Sequence, residues 1–278
     1  MNPMTLAVAV AIVGGVGLLF GTLIAVAHRK LWVYEDPRID AVAGMLPGAN
    51  CGACGFPGCR GFAEAAVQGE IAPAKCTVMN DDMRADVAAY LGVDAGQAEK
   101  RVARLMCAGG TNVAKQRADY FGVQSCAAAV AVSGGGKGCV WGCVGFGDCA
   151  IACTFDAIHL NEFDLPVVDI EKCTACNDCV IACPLGLFTI LPTDSKLIVQ
   201  CKNLLNGDDA TEVCAVACNA CGRCVVDAAP GLISMQNGLA VIDYTKIDQA
   251  NPAATSRCPT GAIAWVEGEQ FAAALLEV

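Results

Sequence analysis

The sequence predicts an α+β protein: one membrane-crossing helix, then a body of small domains whose folding depends on cysteine-bound metal. Two observations carry this. The 278 residues include 20 cysteines but only two histidines, and the cysteines recur at short, fixed spacings. Before all of them runs an uncharged apolar stretch, "TLAVAVAIVGGVGLLFGTLIAVA", the 23 residues from Thr5 to Ala27.

At ~1.5 Å per residue, that stretch is long enough to cross a ~30 Å hydrocarbon core. His28, Arg29 and Lys30 follow it and no basic side chain precedes it. The positive-inside rule then puts the rest of the chain in the cytoplasm, as the body of a single-pass protein of the inner (cytoplasmic) membrane. Ala25-Val26-Ala27 resembles a signal cleavage site, but the positive n-region is missing and the apolar run is too long, so an anchor is the better reading. Gly17-x-x-x-Gly21, below Gly14 and Gly15, would let a partner helix approach, although glycine is common in membrane helices anyway. A reducing cytoplasm disfavours a disulfide framework, which leaves zinc and iron–sulfur clusters.

Charge narrows the function. The net charge is −10 and 17% of residues are charged. Nucleic acid needs a basic face, so it is excluded as a partner. An acidic body steers basic patches on its partners toward itself. Gly15-Val16-Gly17 lies inside the membrane run, with Phe20 where a dinucleotide fingerprint wants Gly. "SGGGKG" at 133–138 has Gly138 where a phosphate loop wants Ser or Thr, and Ala131 where its first Gly belongs. Neither makes a nucleotide site.

The first cysteine group is Cys51, Cys54, Cys59 and Cys76, in "NCGACGFPGCRGFAEAA" and beyond. Three of its thiols sit on a Gly/Pro-rich loop running into a helix. Glycines let backbone wrap closely with amides aimed at sulfur. Four cysteines without histidine suit either zinc or [4Fe–4S], with the cluster favoured. The clearest group is "CTACNDCVIACP": Cys173, Cys176, Cys179, Cys183 and Pro184. This is the bacterial ferredoxin run C-x2-C-x2-C-x3-C-P, in which three thiolates hold one cube and the fourth ligates its neighbour.

That crossover demands a partner run. "CVWGCVGFGDCAIAC" supplies it imperfectly, because Phe146 stands where a cysteine belongs. Cys153 should complete the cluster of Cys173, Cys176 and Cys179. Cys183 should return to Cys143 and Cys149. Cys139, one helical turn before Cys143, is the nearest spare thiol to fill the place of Phe146; the alternative is a three-cysteine site with a labile iron. A repeat follows. Cys126-x12-Cys139-x3-Cys143 matches Cys201-x12-Cys214-x3-Cys218. The second copy, "CNACGRCVVDAAP", continues with Cys221 and Cys224 but has Ala228 for its fourth cysteine, and Cys258 is the only thiol of its second run. The missing thiols are the ligands of one cluster, while Cys218, Cys221, Cys224 and Cys258 are the complete set of the other. Four [4Fe–4S] clusters is the simplest count, within a range of three to five. Cys107, Cys126, Cys201 and Cys214 remain, either as buried structural thiols or as a fifth set.

"DAIHLNEFDLPVVDI" and "GLISMQNGLAVIDY" each read as two short strands about a turn. Residues 81–104 read as helical, with "RVARLMC" a candidate strand. Asp148, Asp156 and Asp178 read as solvated charges, and His159 as a surface or packing residue. The predicted order is an anchor (1–28), a four-cysteine Fe–S domain (29–85), a connector (86–130), and two tandem bacterial-ferredoxin-like modules, one with two clusters (131–200) and one with a single cluster (201–278).

This order, with "CGACGFPGCRGFAEA…C" after an anchor and "GCVGFGDCAIACTFDAIHL" beyond it, resembles the B subunit of the Rnf complex, the ion-translocating ferredoxin:NAD oxidoreductase, in its longer form with extra ferredoxin modules. The likeness covers nearly the full chain. Phe146, Ala228 and the cysteines missing before Cys258 depart from it and bear on the cluster count. The resemblance implies a translocase subunit without a catalytic site of its own beyond electron transfer. It would take electrons from soluble reduced ferredoxin and pass them to flavin-bearing and other membrane subunits, for NAD reduction and Na+ or H+ transport. An iron–sulfur subunit of another membrane oxidoreductase, such as a hydrogenase, is the alternative; the first cysteine group speaks against it. That group also occurs in corrinoid iron–sulfur proteins, which lack this anchor and need a cobalamin domain. A cluster-based redox sensor would need an output domain, and none is apparent.

Overall fold

The structure is a computed structural model and describes residues 3–31 and 34–271. Helix α1 (Pro3–Leu31) carries a span, Val10–Leu31, with mean hydropathy 2.4 and no part buried against the body. Thr22 Oγ1 donates back to the carbonyls of Leu18 and Leu19, at 2.9 Å each, so its hydroxyl is satisfied within the helix. His28, Arg29 and Lys30 fill the last turn, where cations complement the helix dipole.

Three helices follow: α2 (Pro37–Met45), α3 (Gly58–Val67) and α4 (Asp81–Leu91). Asp36 caps α2 ahead of Pro37, and Asn80 caps α4 by accepting from the Met83 amide at 2.8 Å. Ile39, Val42, Leu46, Phe62, Ala63, Met79 and Val87 form a small buried core. The helical reading of 81–104 ends at Leu91, because Gly92 turns left-handed (φ 67°) and stops the helix. Arg101–Leu105 is strand β1, in agreement with the β character of "RVARLMC".

The remainder is two units on one plan. In the first, β1 pairs antiparallel with β4 (Phe188–Pro192) around an inner hairpin of β2 (Ile158–Leu160) and β3 (Pro166–Val168). Helices α5 (Cys126–Ala131), α6 (Asp148–Ile151) and α7 (Asp178–Ala182) belong to it. In the second, β5 (Leu197–Val199) pairs with β8 (Ile263–Trp265) around the hairpin β6 (Ile233–Gln236)–β7 (Leu239–Ile242). Its helices are α8 (Gly207–Val213), α9 (Arg223–Asp227) and α10 (Ala253–Ser256). Asn237 and Gly238 both take positive φ (50° and 79°), as a tight two-residue hairpin turn requires. Strand pairing shifts the expected divisions. β1 lies in the 86–130 connector yet belongs to the first unit, and β5 lies before residue 201 yet belongs to the second.

Each unit has its own core, and cysteines form part of both. Met106, Leu191, Ile198 and Val266 pack between them. The Ala108 amide donates to Gln200 O at 3.0 Å. Gln270, 2% exposed, accepts from the Leu105 amide (3.0 Å) and donates to its carbonyl (2.7 Å), so the chain beyond β8 returns to the edge of β1.

Candidate iron–sulfur sites

The cysteine runs share a backbone signature. After the first thiol of each run, the second and fourth residues are left-handed: Gly145 and Gly147 (φ 81° and 77°), Ala175 and Asn177 (57° and 74°), Ala220 and Gly222 (61° and 70°). Left-handed backbone costs an L-residue roughly 1–2 kcal/mol, so Ala175 and Ala220 hold it because the loop demands it. Such turns aim successive amides into one concavity. The loop around Phe146 has the same conformation although its second thiol is gone. Phe146 turns to Tyr120, with ring centroids 5.5 Å apart.

Cys51, Cys54, Cys59 and Cys76 line one cavity of about 350 Å3, mouth included. Cys218, Cys221, Cys224 and Cys258 line another, of about 340 Å3. The Cys179 thiol is pushed up to about 12 by burial and by its neighbours Cys173, Cys176 and Cys153. Cys149 is likewise pushed up to about 12, by burial and then by Cys126, Cys179 and Cys183. The fourth thiol of each run in the first unit thus stands with the first thiols of the other run.

Cys139 is not beside Cys149. It lines a third cavity, of about 310 Å3, with Cys107, Cys201 and Cys214. The thiol next to Cys149 is Cys126. Helix α5 carries it there and is tied to α6 by Asp148, whose Oδ2 accepts from Ser125 Oγ (3.1 Å) and the Ala127 amide (3.2 Å). Cys139 is nearest along the chain, but its thiol faces the third cavity instead. The x12 spacing that matched Cys126 to Cys201 is a coincidence of length. The structural counterpart of Cys201 is Cys107, since each lies two residues past the first strand of its unit. "RLMC" and "LIVQC" carried that signal. Asp148 is a clamp as well as a surface charge, and Asp178 lies 3.3 Å from Cys176 Sγ.

The donor chemistry fits iron–sulfur clusters. Tetrahedral zinc at ~2.3 Å from sulfur would draw its ligands to within roughly 3.8 Å of one another. Among the described residues no three His, Cys, Asp or Glu side chains converge in the manner a single ion needs. Four thiols spread around each cavity wall suit a core larger than one ion. Buried polar atoms without partners point the same way. Thr174 Oγ1 and Arg104 Nε are two of them, beside Cys173 in sequence and in charge interaction with it respectively, and Asn203 Nδ2 on the wall of the third cavity is another. All three are donors, and hydrogen bonds to cluster sulfur would satisfy them. Burial also pushes up Cys143 and Cys201, each to about 12, and Cys214 and Cys224, each to about 11. Such thiols ligate as thiolates, so metal entry must displace their protons. At Cys258 burial acts upward, but amide and hydroxyl donors from Ile263, Thr260 and Ala262 bring the thiol below its ordinary value.

Thiol sets on loops and short helices beside paired short strands, behind an apolar helix, define an iron–sulfur electron-carrying protein. A family profile described as "Putative Fe-S cluster" matches residues 46–78, and one described as "4Fe-4S binding domain" matches residues 166–189. The chain is 43% identical to the B subunit of the Na(+)-translocating ferredoxin:NAD(+) oxidoreductase complex of Acetobacterium woodii, over 92% of this chain and 77% of that protein. It is 35% identical to the B subunit of the ion-translocating oxidoreductase complex of Methanosarcina acetivorans, over 91% and 96% of the two chains. It is also 35% identical to the B subunit of the proton-translocating ferredoxin:NAD(+) oxidoreductase complex of Clostridium ljungdahlii, over 89% and 88%. The chain belongs to the B-subunit family of the ion-translocating (Rnf) oxidoreductase complexes, and its function is that of their iron–sulfur relay subunit.

Proposed function

We propose that this chain takes electrons from reduced soluble ferredoxin and hands them to flavin-bearing membrane subunits, within a complex that reduces NAD and moves Na+ or H+. Bound [4Fe–4S] clusters supply one-electron storage and transfer. The chain's own residues hold, space and insulate them. Four thiol sets serve: Cys51, Cys54, Cys59 and Cys76 in the N-terminal Fe–S domain; Cys126, Cys143, Cys149 and Cys183; Cys153, Cys173, Cys176 and Cys179; and Cys218, Cys221, Cys224 and Cys258. The two units are tandem ferredoxin-like modules. α1 is the membrane anchor, with the body on the cytoplasmic side where His28, Arg29 and Lys30 emerge.

The observation that carries this reading is the interleaving of the two runs of the first module, where Cys149 is acted on by Cys179 and Cys183 and Cys179 by Cys153. Cys221 is exposed, which makes the second module the natural entry for a soluble donor. At the other end, Lys100, next to β1 on the side of the Fe–S domain, pairs at 3.1 Å with Glu171, two residues before Cys173. Stopped-flow mixing of the anaerobically isolated full chain with dithionite-reduced ferredoxin tests the reading. Cluster absorption should bleach in a second-order reaction. A chain that contains clusters yet is never reduced by ferredoxin would end it.

A further inference from the structure

The cavity lined by Cys107, Cys139, Cys201 and Cys214 lies between the two units; it gathers three of the four leftover thiols, with Cys139 in the place expected of Cys126. We infer that it is a fifth [4Fe–4S] site, which bridges the units and closes the gap in the electron path between them. The inference rests on the relay reading above and extends it.

The site is built symmetrically from both halves. Cys107 and Cys201 each lie two residues beyond a first strand, and Cys139 and Cys214 each lie four residues before the first thiol of a run. Its size, about 310 Å3, matches the motif-defined cavities of about 350 and 340 Å3. A backbone hydrogen bond reaches each neighbouring set. The Cys143 amide donates to Cys107 Sγ at 3.3 Å, and the Cys218 amide donates to Cys201 Sγ at 3.3 Å. The thiols that act on Cys224 are Cys218, Cys258 and Cys221, all of its own set.

The wall is finished for an anionic, sulfur-rich occupant. Gly109 keeps the wall close to the thiols, since a Cβ there would stand 3.2 Å from Cys214 Sγ and 3.6 Å from Cys107 Sγ. Asn203, 1% exposed, presents an Nδ2 with no partner. Lys137, from the glycine stretch that resembled a phosphate loop, lines the cavity and donates to the carbonyls of Gly109 and Cys143. Its ammonium is bound by neutral oxygens, so its charge is available to four thiolates and their cluster. Lys137 is therefore a positioning and potential-setting residue between this site and the set of Cys143.

Native mass spectrometry of the full chain, isolated anaerobically in detergent, decides the count. Five [4Fe–4S] units are expected. Four units with the relay intact would overturn this inference and leave the relay reading standing; none would overturn both. Cys107→Ala/Cys214→Ala locates the site by losing one cluster and keeping the EPR signals of the other four, and retention of all five overturns the inference. Should that variant fail to fold, Lys137→Met serves. It should keep five clusters and move at least one midpoint potential to a more negative value in an EPR-monitored titration; unchanged potentials throughout would contradict the bridging assignment.

Discussion

The two paired-strand units differ most where they look most alike. Both open with a strand and a cysteine two residues later, and both wrap their runs in the same left-handed turns. Between that cysteine and the thiol four residues before the run, the second unit has 12 residues and the first has 31. The extra length carries α5, and α5 brings Cys126 to Cys149; in the proposed ligand sets it takes the place that Phe146 leaves. The second unit made no such substitution: it has Ala228 and no thiol in its later run before Cys258. On the proposed ligand sets, one site is completed from a distant segment and another is lost as a whole.

The largest test of this comparison is metal removal. Structural metal sites supply on the order of 10 kcal/mol each, more than the small apolar cores can replace. Chelation under reducing conditions should abolish both units and leave α1 helical, as read by far-UV circular dichroism and limited proteolysis. Persistence of the β-structure in either unit would show that its apolar core suffices.

Ligand exchange is next. Cys126→Ala should remove the EPR signal of the first unit's upstream cluster while the cluster of Cys173 survives. Cys139→Ala should spare both and affect a different signal. The reverse pattern would restore Cys139 to the place of Phe146 and undo the contrast between the units. Smaller still is the clamp. Asp148→Ala removes two charge-assisted hydrogen bonds, worth about 2 kcal/mol together at a half-buried position. Thermal unfolding should fall and the upstream cluster should become sensitive to oxygen. Asp178→Ala, at the matching position of the next run, should leave that cluster untouched. The smallest effect belongs to the exposed pair of Arg257 and Asp227 in the second unit, where Arg257→Gln should cost less than about 1 kcal/mol by denaturant titration.

Much of the site was legible in the residues. The anchor follows from apolar length and trailing charge. "CTACNDCVIACP" fixes three thiols and a fourth by short-range spacing, and the loss at Ala228 together with the sparse second run reads as one absent cluster. The hairpins were equally visible, since "MQNGLA" carries its turn in two residues. The connector was harder. Nothing in 101–105 says that its partner strand lies at 188–192, because strand pairing over so long a stretch of chain leaves no local trace.

By itself, then, the sequence determined the chemistry: twenty thiols with almost no imidazole, in runs whose short spacing forces neighbouring ligands together, behind an apolar helix. Tertiary structure alone decided which distant thiols meet. It sent Cys126 to Cys149, gathered Cys139 with Cys107, Cys201 and Cys214, and brought Lys137 to their side. The reason is geometric. Within a run, a few backbone torsions set the distance between sulfurs, whereas across units that distance depends on how two packed bodies seat against each other.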